Sequence, residues 1–218
     1  MPNAIPVPTN KLDEGRVRVL RPLKHHDTPP TLIMIAEECL SQEDCDIILI
    51  EHKNTVETKV SVGDGNVITP HKKELLENRV PWKYNLNGTK ITVIPQDTNA
   101  FNIITEIVDP FLPKNDDYGM ITYMTIQEYP QGTFFGTHKD DADSNDSATV
   151  VFTLNEEFEG GQFHIKGHTI AQRQGSMVAF NNNTEIFHSV DPILRGTRFA
   201  LCIWFCPFEE LDNEDVQV

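Results

Sequence analysis

Between about residue 120 and residue 206, apolar and polar residues alternate in short runs broken by Gly, Asn and Asp. The runs fall at 120–129, 134–137, 148–155, 161–166, 168–172, 176–180, 186–190 and 197–206. A period of two sends successive side chains to opposite faces of a strand, so each run reads as a strand ended by a turn. Many short strands at such spacing predict an antiparallel sandwich or barrel. Upstream the period lengthens. Ser41-Gln42-Glu43-Asp44 precedes the apolar positions Cys45, Ile48 and Leu49, a capping-box pattern that predicts a helix over 41–52. Phe101, Ile104, Ile107 and Val108 recur near helical spacing ahead of Pro110, predicting a second helix over 98–109. Val60-Ser61-Val62 and Gly63-Asp64-Gly65-Asn66 read as strand, turn and strand within 53–70, and 71–80 as a short helix stopping before Pro81. Val17-Arg18-Val19-Leu20 stands in a Pro-rich polar stretch and reads as an edge strand or part of a mobile arm. The expected plan is mainly β with flanking helices, an α+β chain whose helices come first.

Composition narrows the class. The chain has 218 residues, 39% apolar and 23% charged, which suits one domain with a real core. The expected division is an N-terminal arm over 1–30, a single domain over 31–207 (helical support 31–110, β-core 118–207) and an acidic tail over 208–218. Net charge is −15, and Lys72-Lys73 is only a pair. Nucleic-acid binding needs a basic stripe against the phosphates, so nucleic acid is not an expected partner. No apolar run approaches the roughly 20 residues of a membrane helix, and no membrane association is expected. The start, Met1-Pro2-Asn3-Ala4-Ile5-Pro6, lacks the basic and apolar segments of a secretory signal, so a cytoplasmic location is expected. Cys39, Cys45, Cys202 and Cys206 form no C-x-x-C pair and read as reduced, mostly buried thiols.

The chemistry gathers in the β-region. In His138-Lys139-Asp140 the imidazole and the carboxylate are two residues apart, so on extended chain both point one way and can share a metal. One such triplet arises easily by chance. His188, near another strand start, supplies a second imidazole. Two histidines and one carboxylate are the facial set of non-haem Fe(II) oxygenases, which leaves positions open, whereas structural zinc takes four protein ligands. The run Arg198-Phe199-Ala200-Leu201-Cys202-Ile203-Trp204-Phe205 adds an anion site. Phe199, Leu201, Ile203 and Phe205 face one side, and Arg198, Ala200, Cys202 and Trp204 the other. A surface arginine on an edge strand would be the ordinary reading. A charge among small residues also suits an arginine pointing into a barrel with room for a carboxylate, which a guanidinium grips through two parallel hydrogen bonds.

Residues 120–206 resemble the 2-oxoglutarate and Fe(II)-dependent dioxygenases, in the prolyl 4-hydroxylase-like branch. Tyr129-Pro130-Gln131-Gly132 before His138-Lys139-Asp140 is similar to the family's approach to its H-x-D. Phe158-Glu159-Gly160-Gly161-Gln162-Phe163 resembles its double-glycine hairpin, and Gly175-Ser176-Met177-Val178-Ala179-Phe180 the strand before the distal histidine. His188-Ser189-Val190-Asp191-Pro192 with Gly196 and Arg198 resembles the closing motif. Upstream, only Cys39-Leu40-Ser41 matches, as the entry to the first helix. The resemblance implies a double-stranded β-helix, a cupin-like jelly roll. It implies iron on His138, Asp140 and His188, and 2-oxoglutarate held through its distal carboxylate by Arg198, where this branch often has lysine. Tyr129 would line the co-substrate pocket, although a plain core tyrosine fits the position too. The implied cofactors are Fe(II), 2-oxoglutarate and O2, with ascorbate as a candidate reductant. The implied reaction is hydroxylation of an unactivated C–H, with procollagen-proline 4-dioxygenase-like action on peptidyl proline as the first expectation. A free amino acid or small metabolite is the alternative substrate, and an inactive jelly-roll binding protein the alternative class. Asp140 argues against halogenation, because halogenating relatives lack the carboxylate. Trp204 stands where nucleic-acid demethylating relatives carry a second arginine.

The remaining histidines read as ordinary. His164 and His168 flank Lys166-Gly167 as exposed turn residues, His25-His26 reads as two exposed histidines in a Pro-flanked segment, and His52 and His71 lack an acid or histidine at ligand spacing. In peptide-hydroxylating relatives a loop before the core closes over substrate. Its counterpart here is 53–85, where Trp82 and Tyr84 either touch substrate or pack.

Overall fold

The computed structural model describes residues 17–20, 33–55, 62–63, 66–67, 82–96, 98–112, 120–140, 148–182 and 186–206. The expected helix at 71–80, most of the arm and the acidic tail lie outside these residues.

Two helices precede the main β-region. Helix α1 (Gln42–Asn54) starts where the capping box places it. Ser41 Oγ accepts from the Asp44 amide at 3.1 Å, and Asp44 Oδ2 accepts from the Ser41 amide at 2.9 Å, so two otherwise orphaned donors are satisfied. Helix α2 (Asn99–Val108) is capped by Thr98, whose side chain accepts from the Phe101 amide, and it buries Ala100, Ile104 and Val108. A 3-10 turn over Asp109–Phe111 carries Pro110 at its start and ends the helical run.

Fifteen strands are described: β1 (Val17–Leu20), β2 (Ile33–Ala36), β3 (Val62–Gly63), β4 (Asn66–Val67), β5 (Trp82–Leu86), β6 (Thr89–Pro95), β7 (Met120–Pro130), β8 (Phe135–His138), β9 (Ala148–Thr153), β10 (Phe158–Gly160), β11 (Phe163–Ile165), β12 (His168–Ile170), β13 (Met177–Asn181), β14 (His188–Val190) and β15 (Ile193–Cys206). The larger sheet runs β1-β2-β13-β9-β15-β7-β6-β5, with β10 added to β15. The smaller sheet runs β12-β11-β14-β8, and β3 and β4 form a separate ribbon. All pairings are antiparallel. Val17–Leu20 is thus an edge strand, paired with β2.

Two stretches show strands that the hydrophobic pattern leaves unassigned. One is β2. The other is the β5–β6 hairpin, closed by Asn87 at φ 52° and Gly88 at φ 88°. An Asn-Gly pair with both φ positive is the two-residue turn that matches strand twist, so the signal was present in the sequence.

The alternation in β15 divides the core. Leu201, Ile203 and Phe205 join Cys45, Ile48, Ile104 and Val108 in the layer between helices and large sheet. Ala200 and Cys202 face the other way, toward Phe163, Ile165 and Val190 of the small sheet. The second layer is the interior of a jelly roll formed by two facing sheets.

Candidate active site

The three expected metal ligands meet at one end of that interior. His138 closes β8 and His188 opens β14, and the two are directly paired across the small sheet. Paired residues of an antiparallel ladder point to the same face, and the two rings stand 4.1 Å apart between centroids. Asp140 follows two residues past the end of β8. Its Oδ1 lies 3.5 Å from His188 Nε2 and 3.9 Å from His138 Nε2. One donor atom from each residue lies within 4.8 Å of the others. Among the described residues no other group of three or more His, Cys, Asp or Glu comes together in this way.

The tautomers suit a metal. His138 Nδ1 sits 2.8 Å from the Gly136 carbonyl oxygen, so Nδ1 carries the hydrogen and Nε2 offers its lone pair. His188 Nδ1 makes the same contact with Ile186 O at 3.4 Å. Burial pushes the His188 pKa below its ordinary value, against the pull of Asp140, and thereby favours the neutral ligand form. Phe135, Phe163 and Phe180 pack on the two imidazoles. With two nitrogens, one carboxylate and no fourth donor among the described residues, the set fits an open divalent site better than a closed structural one.

Two residues that sequence reasoning missed orient Asp140. Thr149, on β9, donates its hydroxyl to Asp140 Oδ2 at 2.5 Å. Asn182 Nδ2 donates to Thr149 Oγ1 at 2.8 Å. One carboxylate oxygen is therefore held away from the histidines and the other turned toward them. The only available signal was a polar residue inside the apolar run Ala148-Thr149-Val150-Val151.

Arg198 is 1% exposed, lies inside the barrel and faces its cross-strand partner Tyr129. Its Cζ stands 5.1 Å from the Tyr129 ring centroid. The Tyr129 hydroxyl donates to Gln127 Oε1. Burial raises the Tyr129 pKa, opposed by the guanidinium. Burial lowers that of Arg198, yet a guanidinium stays protonated in proteins. Its protein acceptor is neutral: Gln172 Oε1 takes Nε at 3.2 Å and Nη2 at 2.7 Å. Cys202, on the same inward face, belongs with Tyr129 to the buried cluster whose Phe163 and Phe180 pack on His188, so Arg198 and the His-Asp-His set share one interior. Burial pushes its thiol up to about 12, as it does those of Cys39 and Cys45. These three are free and buried, as expected.

Two histidines differ from expectation. His164 is not an exposed turn residue: it lies in β11, with Nε2 2.8 Å from Asp191 Oδ2 and Nδ1 3.0 Å from Thr169 Oγ1. His52, which had no visible partner in sequence, is buried, with Nδ1 2.7 Å from Thr92 Oγ1 and Nε2 2.9 Å from Glu128 Oε2. Thr92 and Glu128, 40 and 76 residues from His52, sit on the paired strands β6 and β7 under α1, and Asp191 is 27 residues from His164.

Among the described residues no helix is long and apolar enough to cross a membrane.

Residues 124–206 match the family model described as the 2OG-Fe(II) oxygenase superfamily. A PKHD-type hydroxylase of Idiomarina loihiensis is 31% identical over 93 residues, 38% of this chain and 42% of the relative. The chain thus spans under half of that protein's length. A PKHD-type hydroxylase of Cupriavidus metallidurans is 25% identical over 172 residues, covering 64% of this chain and 75% of the relative. A solved prolyl hydroxylase from Trichoplax adhaerens, in complex with a hypoxia inducible factor oxygen degradation domain peptide fragment, superposes with a TM-score of 0.57 at 20% identity, over 82% of this chain and 84% of that one. The last likeness is one of fold.

Proposed function

We propose that the chain is a 2OG-Fe(II) oxygenase of the prolyl 4-hydroxylase-like branch that hydroxylates an unactivated C–H, with peptidyl proline as first substrate class, a reading supported by the family match over residues 124–206. In this reading His138, Asp140 and His188 hold Fe(II), and Arg198 holds the distal carboxylate of 2-oxoglutarate beside Tyr129. The observation that carries it is Arg198, a buried cation with no carboxylate partner among the described residues, opening into the same interior as the His-Asp-His set. A buried charge without a counter-ion is costly, so the site is built for an anion that arrives from solution.

When bound, iron with 2-oxoglutarate and O2 supplies the oxidising power for hydroxylation, and succinate and CO2 leave. The protein's own residues bind and orient. The Gly136 and Ile186 carbonyls fix both imidazole tautomers. Thr149 fixes the free oxygen of Asp140. Arg198 matches a carboxylate by shape and charge, and apolar walls from Phe163, Phe180 and Val151 keep bulk water from the interior. A peptide substrate is supported by two exposed aromatics beside the ligand strands, Phe134 at 55% and Phe187 at 47% exposure. The relatives are called hydroxylases, and the Trichoplax protein of like fold was solved with a peptide bound. Ascorbate would serve as reductant between cycles.

The test is spectroscopic. Anaerobic protein with Fe(II) and 2-oxoglutarate should develop the visible charge-transfer band of a chelated 2-oxo acid. His188→Ala should lose the band and Arg198→Ala should weaken it. If folded, iron-loaded wild type shows none, the oxygenase reading is wrong. Succinate release with proline-containing peptides and with free proline then separates the substrate classes.

A further inference from the structure

Gln172 receives three donors on one oxygen. Arg198 Nη2 reaches Oε1 at 2.7 Å, Nε at 3.2 Å, and the Thr153 hydroxyl at 3.1 Å. Its amide nitrogen makes only a long contact, 3.5 Å, to the Ile170 carbonyl. Such convergence on one atom is what a protein normally builds around a carboxylate. Here the acceptor is an uncharged amide. The approach is also from behind. Thr149, at the start of β9, touches Asp140, whereas Thr153 ends that strand. At strand rise the two positions are separated by about 13 Å. Gln172 therefore engages Arg198 from the end of the barrel away from the ligand set, occupying the Nε edge of the guanidinium.

We infer that Gln172 is a positioning residue that satisfies the rear edge of Arg198 without neutralising it, and so makes the pocket select a 2-oxo acid bearing a second, distal carboxylate. This rests on the reading of Arg198 as the co-substrate anchor. The physical choice is between Gln and its isostere Glu. A carboxylate here would pair a buried cation that has none among the described residues, which stabilises the fold. It would also meet an incoming carboxylate with like charge and leave that anion no net positive partner. The amide keeps the hydrogen-bond geometry and gives up that stability to keep the site cationic.

The inference predicts opposite changes in two measurements. Gln172→Glu should melt at or above wild type without ligand. It should bind 2-oxoglutarate about a hundredfold more weakly, the scale on which buried charge pairs act. Binding is read anaerobically on the Mn(II)-loaded protein by calorimetry, with Mn(II) affinity itself unchanged. Pyruvate has the chelating end but no distal carboxylate, so its weak affinity should stay the same in both proteins, and the preference for the dicarboxylate should collapse. Gln172→Leu, which removes the acceptor without adding charge, should weaken 2-oxoglutarate only a few-fold and lower the melting temperature. It keeps the test open if the Glu variant does not fold. Wild-type affinity for 2-oxoglutarate in Gln172→Glu, or equal losses for pyruvate and 2-oxoglutarate, would overturn the inference while leaving the oxygenase reading intact. Absence of 2-oxoglutarate binding to wild type would sink both.

Discussion

At the scale of the residue, the geometry of the His-Asp-His set depends on side chains outside it. Thr149 spends its only hydrogen on Asp140 and accepts from Asn182, so a single hydroxyl fixes the carboxylate's rotation. Thr149→Val has nearly the same shape and lacks the donor. It should weaken Mn(II) binding by about 10- to 100-fold, the usual scale for groups that orient metal ligands, with little change in fold. Thr149→Ser should restore most of the affinity. Unchanged Mn(II) affinity in the valine variant, measured by titration, would show that Asp140 is held by other means.

At the scale of the element, one turn ties the helical layer to the barrel. Gly175 has φ 77°, and its carbonyl accepts from the Cys39 and Leu40 amides at the entry to α1. A Cβ at this position would stand 2.0 Å from the Leu40 carbonyl oxygen. Gly175→Ala must both adopt a left-handed backbone and push the α1 entry aside. The expected loss is about 2–4 kcal/mol, read as a lowered denaturant midpoint, since positive φ and overpacking each cost on the order of 1–3 kcal/mol. The same element logic makes β15 the centre of the molecule. It pairs with β7, β9 and β10, carries Arg198 on its inner face and buries Leu201 and Ile203 on the outer.

At the scale of the whole molecule, buried titratable groups set the response to acid. His52 is buried against Phe199, and burial lowers its pKa below the ordinary 6.5 despite Glu128. Burial tends to raise the Glu128 pKa, but the hydrogen bonds from His52 and Lys90 outweigh it and hold the pKa below 4.5. For His52 the unfolded chain binds the proton more readily, so stability falls as pH drops below about 6.5. Glu128 contributes stability above about 4.5, which is lost on further acidification. Both act in one direction, and His188 adds to the first step in metal-free protein. Melting temperature should therefore decline from pH 7 to 5 and then more steeply. His52→Gln should flatten the upper part, and a slope identical to wild type would remove His52 from this account.

How much of this was legible in the chain depends on the range of each interaction. Both described helices and most strands of the β-region could be read from sequence, and so could the meeting of His138, Asp140 and His188 and the inward placement of Arg198. Period, capping boxes and H-x-D spacing are local, and they depend on side-chain direction along one element. The alternation of β15 foretold which residues would line the interior, and the structure puts them there. What tertiary structure alone decided is pairing across distance. Gln172 behind Arg198, Thr149 and Asn182 behind Asp140, and Glu128 beside His52 all join positions far apart in the chain, on strands, on a helix or just past the ends of strands. None of these pairs has a sequence spacing that announces it. Each is created by strand register, which is set by burying one face of every strand at once and is therefore a property of the folded whole.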